Sequence, residues 1–369
     1  MDKCDRSTNL MALSPNYGWA EPDNSSLVKN GAQDIRALGD AIDTSVWNVG
    51  YGQAGKNKII NGDFSINQRS FTTDTIGAYG FDRWTWGSSG ATGTYSTQAF
   101  TAGAAPVAGY EATNFARVAV TTGNDFCRLI QRIESVRTFA GQTATLSFWA
   151  KGTNPTTAGK LNVRLQQNFG SGGSASVDTA EQDLTLTANW VRYSYTFAIP
   201  SISGKTIGTA SYLEVGIGQL ANASTQSWTL DLWGVQLEYG SKATPFQTAS
   251  GGSPQAELAM CQRYYVRWTG NVAYSVFGTG IAASTTAAVI NIPTPTTMRT
   301  NPTTLDFSTL GVAEGGGSVI AGTSATFNTT NDKIAQVQIG VASGLTQFRP
   351  VTLYTNNSAA GFIGFSAEL

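Results

Sequence analysis

The sequence predicts an all-β protein with an extended N-terminal segment that contains one short helix, a jelly-roll-like β-sandwich and a second small β domain. Three observations lead to this fold class. Many short runs alternate apolar and polar residues, and clusters of Gly, Asn, Ser and Thr separate these runs. Helical spacing is confined to two short segments. A chain of 369 residues with 41% hydrophobic residues can also build more than one core.

Changes of composition along the chain predict four parts. Residues 1–57 are polar and form the N-terminal segment, and residues 58–247 carry the alternating runs of the sandwich. Residues 248–254 read Thr-Ala-Ser-Gly-Gly-Ser-Pro, a composition typical of a flexible linker. Residues 255–369 then form the second β domain.

The N-terminal segment contains one helix signal. Asn30 is a candidate N-cap, and Ile35, Leu38 and Ile42 follow at helical spacing. Val28, Ile35 and Ile42 are also seven residues apart, which suits a short seam between parallel chains. Two such repeats do not decide between this seam and a helix that packs on its own domain.

The sandwich is predicted to begin with strands at Ile59–Phe64 and Phe81–Trp86. Alternation is clearest in Val191–Phe197, where every second residue is apolar or aromatic. The stretch Trp228–Phe246 is predicted to close the sandwich, with Gly234 as a bulge that interrupts its alternation.

The second β domain is predicted to open with a short helix over Glu257–Tyr265, and seven strands follow. Pro293, Pro295 and Pro302 exclude a central strand between them because proline cannot donate a ladder hydrogen bond.

Composition narrows the possible functions. The chain has no histidine, which excludes histidine-based triads and histidine zinc sites. Its three cysteines do not form a C-x-x-C pair, so neither a zinc site nor a disulfide framework is indicated. Charged residues make up 13% of the chain and the net charge is −1, so nucleic acid is not an expected partner. No run of about 18 apolar residues and no signal peptide are found, so we expect no membrane insertion and no classical secretion.

Carboxylates were considered as catalytic pairs and as ligands of a metal ion. Glycoside hydrolysis needs two carboxylates that face each other across a sugar, and sequence alone does not give that geometry. Most of them are more simply turn formers or solvated strand residues. Asp63 and Asp231 are the candidate ligands for a structural calcium ion, although no cofactor is required by the sequence. The pairs considered are Asp63 with Asp82, Asp178 with Glu181 and Asp183, and Asp231 with Glu238.

Aromatic residues are the candidates for glycan binding, because an exposed flat ring can stack on the face of a sugar. The candidates are Trp149, Trp233, Trp84 and Tyr95. The competing interpretation is that large aromatic residues on alternating strands belong to a core. Trp149 and Trp233 are favoured because they alternate with the apolar residues of their strands.

Several short motifs follow one another along the chain. In the N-terminal segment these are Tyr17-Gly-Trp-Ala-Glu-Pro-Asp23 and residues Gly31–Asp43. In the sandwich they are Lys56–Phe64, Asp82-Arg-Trp84, Leu146–Gly152, Trp190–Ser194 and Trp233–Glu238. In the last domain they are Cys261-Gln-Arg-Tyr-Tyr265, Met298-Arg299 and Phe365-Ser-Ala-Glu-Leu369. The order of these motifs resembles that of tailed-phage virion proteins, and the middle part resembles the carbohydrate-binding-module-like sandwich of phage tail fibres.

This resemblance implies a non-enzymatic virion fibre or spike subunit that works as a homotrimer. Residues 1–57 would dock on other virion proteins, and Tyr17, Trp19, Ile35, Leu38 and Ile42 are the implied anchor or trimer residues. The β domains would project from the particle and attach it to polysaccharide on the host surface. Such a protein is assembled in the host cytoplasm and is located on the virion.

Two other functions remain open on the sequence. One is a head or collar fibre, or a decoration subunit, that binds no specific receptor. The other is a polysaccharide depolymerase, which would require carboxylates that face a common cleft.

Overall fold

The computed structural model describes residues 12–14, 19–21, 30–49, 55–74, 77–123, 126–155, 159–219 and 226–369. The chain divides into two compact units, residues 1–53 and 54–369. Within the described residues the structure has 23 strands and two helices, which confirms the predicted all-β class. Neither helix is both long and apolar enough to span a bilayer.

The first unit holds a short hairpin and the predicted helix. The hairpin pairs Ala12–Leu13 (β1) with Ala20–Glu21 (β2), and the helix is Gly31–Val49 (α1). The predicted stripe lies on its surface, with Ile35 65% and Ile42 38% exposed and Leu38 half-buried. Trp19 is half-buried and its backbone N–H donates to Ser14 Oγ, whereas Tyr17 lies outside the described residues.

The predicted sandwich is formed by two six-stranded antiparallel sheets. Its strands are Thr73–Asp74 (β3), Thr85–Ser88 (β4), Thr92–Ala99 (β5), Asn114–Thr122 (β6), Cys127–Glu134 (β7), Thr143–Thr153 (β8), Leu161–Asn168 (β9), Val177–Asp178 (β10), Gln182–Leu184 (β11), Val191–Ala198 (β12), Tyr212–Gln219 (β13) and Trp228–Tyr239 (β14). One sheet, the β14 sheet, has the order β12-β8-β14-β6-β5-β3. The other, the β13 sheet, has the order β10-β9-β13-β7-β4, with β11 also paired to β9.

Strand β14 lies in the middle of its sheet and confirms the predicted bulge. Leu230 and Leu232 are buried between the two sheets, as their alternation predicts. The register of β14 against β8 shifts between Trp233 and Gln236, and Gly234 has a φ of +65°. Glycine adopts this left-handed conformation without the strain that a Cβ atom would add.

The rest of the second unit contains a helix, a barrel and a small sheet. The elements are Pro254–Gln262 (α2), Tyr265–Thr269 (β15), Val276–Ser284 (β16), Ala287–Pro293 (β17), Thr304–Ser308 (β18), Leu310–Glu314 (β19), Ile320–Thr330 (β20), Ile334–Val341 (β21), Pro350–Thr355 (β22) and Phe362–Ser366 (β23). Strands β16-β17-β21-β20-β19-β22 close a six-stranded barrel. Strands β15-β23-β18 form a three-stranded sheet beside it.

The segment Ile59–Phe64 is a turn in the structure, so the prediction of a strand there was wrong. Asn61 and Phe64 have φ values of +57° and +56°, which a strand does not allow. The side chain of Asn61 holds this turn: Oδ1 accepts from the Ile66 N–H at 2.9 Å, and Nδ2 donates to the Asp82 carbonyl at 3.0 Å. Its backbone N–H donates to Glu257 Oε1 at 2.6 Å. Contacts from distant parts of the chain therefore override the local strand propensity.

The segment 248–254, predicted as a flexible linker, is buried over residues 248–250, whereas Gly252, Ser253 and Pro254 are exposed. Thr248, Ala249 and Ser250 are all buried, and the Ser250 N–H donates to Glu257 Oε2 at 2.9 Å. Ser253 caps α2, since its hydroxyl accepts from the Ala256 N–H. The small polar residues that suggested flexibility serve here as a helix cap and as hydrogen-bonding groups.

The sandwich and the last domain meet at a polar interface, which we call the docking seam. Arg83 is buried there and forms an ion pair with Glu368 near the end of the chain. Its guanidinium carbon lies 3.4 Å from the centre of the Tyr264 ring, and it also donates to the Arg132 carbonyl. Across the same seam Arg263 forms a two-bonded ion pair with Glu134, at 2.8 and 3.0 Å.

Asp82, next to Arg83, is fully buried in the docking seam. Its carboxylate accepts from the backbone N–H and from the side-chain amide of Gln68, both at 2.7 Å, and lies 3.9 Å from Arg69 Nη1. Burial raises its pKa to about 6, because the charged form loses solvation that Arg69 and Gln68 only partly replace.

We expect an Asp82→Asn variant to change how stability depends on pH. The carboxyl group of Asp82 is a weaker acid when folded than when unfolded, so the wild-type protein loses stability as the pH rises from about 4 to about 6. Asparagine does not titrate. The free energy of unfolding of the variant, measured relative to that of the wild type, should therefore increase by up to about 3 kcal/mol between pH 4 and pH 7.

Urea unfolding at one-unit pH steps measures this difference. An Asp183→Asn variant, which removes a 58% exposed carboxylate, controls for the loss of charge. If the difference in free energy of unfolding between the wild type and Asp82→Asn does not depend on pH, Asp82 does not have a raised pKa.

Candidate functional site

Two of the predicted glycan-binding residues belong to the core of the sandwich. Trp84 and Tyr95 are both 0% exposed. The Trp84 ring packs 5.3 Å from that of Phe64 and its indole N–H donates to the Asn61 carbonyl, while Tyr95 packs 4.7 Å from Phe71. Neither ring offers a face to a sugar, so the core interpretation holds for both residues.

Trp233 faces away from the Leu230 and Leu232 stripe but is also fully buried. Its ring is surrounded by other rings on the outer side of the β14 sheet. The neighbouring ring centres are those of Phe246 at 5.0 Å, Tyr110 at 5.4 Å, Trp149 at 5.6 Å and Phe100 at 6.2 Å. A second, smaller aromatic layer thus covers Trp233, and its predicted role as a glycan platform is not supported.

Trp149 is the predicted glycan residue that the structure leaves half-exposed. It lies on the outer face of β8, and the Arg192 guanidinium is 4.7 Å from its ring. Trp190, just before β12, is also half-buried and has Lys151 Nζ 5.2 Å from its ring. We call Trp149, Trp190, Lys151 and Arg192 the aromatic face. Trp190 was not among the favoured residues because it precedes the alternating strand, and only the strand pairing places it beside Lys151.

The two candidate calcium ligands are engaged by the protein itself. Asp63 accepts from Ser65 and from the Tyr110 hydroxyl, the latter at 2.8 Å. Asp231 forms two hydrogen bonds with Arg117, at 2.6 and 2.7 Å. Among the residues that the structure describes, no group of three or more Cys, Asp or Glu side chains could hold a metal ion.

The other carboxylates considered for catalysis are also paired with cations. Arg164 lies 3.3 Å from Asp178 and 3.6 Å from Glu181. Asp183 pairs with Lys160 at 2.6 Å, and Glu238 pairs with Lys56 at 3.2 Å.

A groove runs along the docking seam, on the side where the sandwich meets the three-stranded sheet. It has two adjoining lobes of about 530 and 550 Å³. Both lobes are lined by Arg69, Asp74, Tyr79 and Asp306. The first lobe adds Arg267 and Phe307, among others, and the second adds residues of the chain end such as Glu368. Each lobe lies within the size range of ligand pockets, and the groove was not found from the sequence, because its walls come from segments more than 180 residues apart.

No protein-family model matches the sequence, and no curated protein matches it either. Among solved structures, the N-terminal cellulose-binding domain of β-1,4-glucanase C from Cellulomonas fimi is 18% identical, with 40% of this chain and 90% of that domain covered and a TM-score of 0.27. The enzymatically active domain of tailspike protein 4 from bacteriophage CBA120 is 17% identical, with 50% of this chain and 22% of that chain covered and a TM-score of 0.33.

A Stig cyclase, Fisc from Fischerella sp. TAU, is 16% identical, with 52% of this chain and all of that chain covered and a TM-score of 0.33. Likenesses of this size carry no argument about what this chain binds or catalyses.

We expect a chelator to leave the melting temperature unchanged, because protein donors already occupy the carboxylate oxygens of Asp63 and Asp231. The measurement is a thermal melt followed by circular dichroism with and without EDTA, after the protein has been incubated with calcium. A lower melting temperature in EDTA would indicate that a bound calcium ion stabilises the fold.

Proposed function

We propose that this chain is a non-enzymatic subunit of a tailed-phage virion, a tail fibre or spike that attaches the particle to glycans on the host surface. The observation that carries the proposal is the aromatic face, where two half-buried indole rings lie beside a guanidinium and an ammonium group. Flat rings stack on sugar faces, and cationic side chains donate hydrogen bonds to hydroxyl groups. The motifs shared with phage fibre proteins supply the virion context.

The state of the carboxylates supports a binding protein rather than a depolymerase. A glycosidase needs an accessible carboxylic acid with a raised pKa opposite a second carboxylate. Asp82 has a pKa raised to about 6, but it is 0% exposed, so a sugar cannot reach it. Asp178, Glu181 and Asp231 are held in ion pairs with arginine.

We expect a Trp149→Ala variant to bind host cells about tenfold more weakly than the wild type, because it removes one stacking surface. The measurement is the binding of fluorescently labelled protein to bacteria, together with its ability to block phage adsorption. Trp268→Ala is the matched control, since Trp268 is also half-buried but packs on Phe365 in the last domain. Wild-type protein that neither binds cells nor blocks adsorption would overturn the proposed function.

The virion position is a separate question with its own measurement. Gold-labelled antibody on intact particles distinguishes a tail fibre or spike from a head or collar fibre or a decoration subunit.

The proposed homotrimer is supported by the apolar stripe of α1. Ile35 and Ile42 are exposed within their unit, and two further copies of the helix could cover them at a coiled-coil seam.

We expect the Ile35→Glu, Ile42→Glu double variant to shift from trimer to monomer mass in size-exclusion chromatography with light scattering. Asp34→Asn and Asp40→Asn on the same helix serve as controls. A wild-type chain that is monomeric, or a double variant that stays trimeric, would contradict this role of the stripe.

A further inference from the structure

The groove along the docking seam has the features of a second binding site, separate from the aromatic face. We propose that it binds a neutral oligosaccharide, with one sugar in each lobe and Tyr79 between them. This inference rests on the proposed binding of glycans, and it assigns a ligand class to a site that the sequence did not indicate. Three properties of the groove lead to it: its ring surfaces, its lack of excess positive charge and its two adjoining lobes.

The first property is the availability of ring faces. Tyr265 and Phe362 also line the groove, but a guanidinium covers one face of each, Arg69 at 3.5 Å and Arg267 at 3.5 Å. Phe307 is 42% exposed, since it lies on β18 at the edge of the three-stranded sheet. Tyr79 lines both lobes. The Arg69 guanidinium also lies 5.2 Å from the centre of the half-buried Tyr79 ring, so Phe307 is the more open ring for a sugar to stack on, and Tyr79 lines the passage between the lobes.

The position of Tyr79 is fixed by a hydrogen bond from its hydroxyl to the Leu369 carbonyl at 2.9 Å. Burial raises its pKa to about 12, so the hydroxyl keeps its proton and remains a donor. A ring held in this way presents a preorganised surface, which reduces the entropy lost on binding.

The second property is the lack of excess positive charge. The guanidinium groups of Arg69 and Arg267 line the first lobe together with the carboxylates of Asp74 and Asp306, and the second lobe adds the carboxylate of Glu368. Arg69 also lies 3.9 Å from Asp82 and 3.6 Å from Glu368, so its positive charge is already compensated. An acidic sugar would find no excess positive charge and would be repelled by the carboxylates.

The same side chains suit the hydroxyl groups of a neutral sugar. Carboxylates accept hydrogen bonds and guanidinium groups donate them, so together they can pair with both the O–H donor and the oxygen acceptor of a hydroxyl group. Arg267 is fixed by a hydrogen bond from Nη1 to the Arg69 carbonyl at 2.6 Å, which orients its remaining donors.

The third property is length. The two lobes adjoin and share four lining residues, so they form one elongated groove rather than two separate pockets. Each lobe on its own lies within the size range of ligand pockets. A chain of sugars fills such a groove, whereas a monosaccharide leaves one lobe empty.

The test uses the full chain on an array of bacterial surface oligosaccharides with neutral and acidic members, followed by calorimetry with the neutral oligosaccharide that binds best. We expect Phe307→Ala to weaken that binding about tenfold through loss of the stacking surface. Asp306→Asn should weaken it as well. Phe348→Ala removes a 74% exposed phenylalanine that does not line the groove, and it should bind as the wild type does.

Four results would overturn the inference: binding to no member of the array, binding to acidic members only, Phe307→Ala binding as tightly as the wild type, or Phe348→Ala binding as weakly as Phe307→Ala. The last two outcomes leave the proposed function intact if the wild-type protein still binds cells and Trp149→Ala binds them more weakly. If the proposed function itself is wrong, the wild-type protein does not bind host cells.

Discussion

The burial of Arg83 holds the second unit together. A guanidinium removed from water requires a partner of opposite charge and hydrogen-bond acceptors, and the chain supplies one carboxylate and one carbonyl from the two sides of the docking seam. The carboxylate comes from Glu368 in the last domain, a carbonyl comes from Arg132 in the sandwich, and the ring of Tyr264 covers the guanidinium plane. Loss of one partner leaves a buried charge uncompensated, at a cost of about 3–5 kcal/mol. The placement of the two domains is therefore specified by charge pairing as well as by apolar contact.

Several of the short motifs that suggested a phage fibre protein meet at this seam. Asn61 donates to Glu257 and Arg83 lies over Tyr264 across it, while within the last domain Arg299 donates to the Ala367 and Glu368 carbonyls. These residues hold two domains in a fixed relation. The groove depends on that arrangement, because its lining residues come from both domains.

The aromatic face and the groove differ in the way each could recognise a sugar. The aromatic face lies on one sheet, and its rings are half-buried against a second aromatic layer around Trp233, so its geometry is fixed by packing. The groove has walls from two domains, and its shape depends on the ion pairs of the seam. A shallow surface suits the side of a polysaccharide chain, whereas a groove with convergent polar groups selects for particular hydroxyl positions.

The sequence by itself determined the features that depend on local periodicity: the all-β class, helix α1, the buried face of Leu230 and Leu232, and the bulge at Gly234. These follow from the spacing of neighbouring residues, which fixes the side of an element on which each residue lies. Only the tertiary structure decided that Ile59–Phe64 is a turn, that Trp84, Tyr95 and Trp233 are covered, and that residues 248–250 are buried. Each of these outcomes depends on a partner far along the chain, such as Glu257 for Asn61 or Phe246 for Trp233, and residue spacing carries no information about such partners.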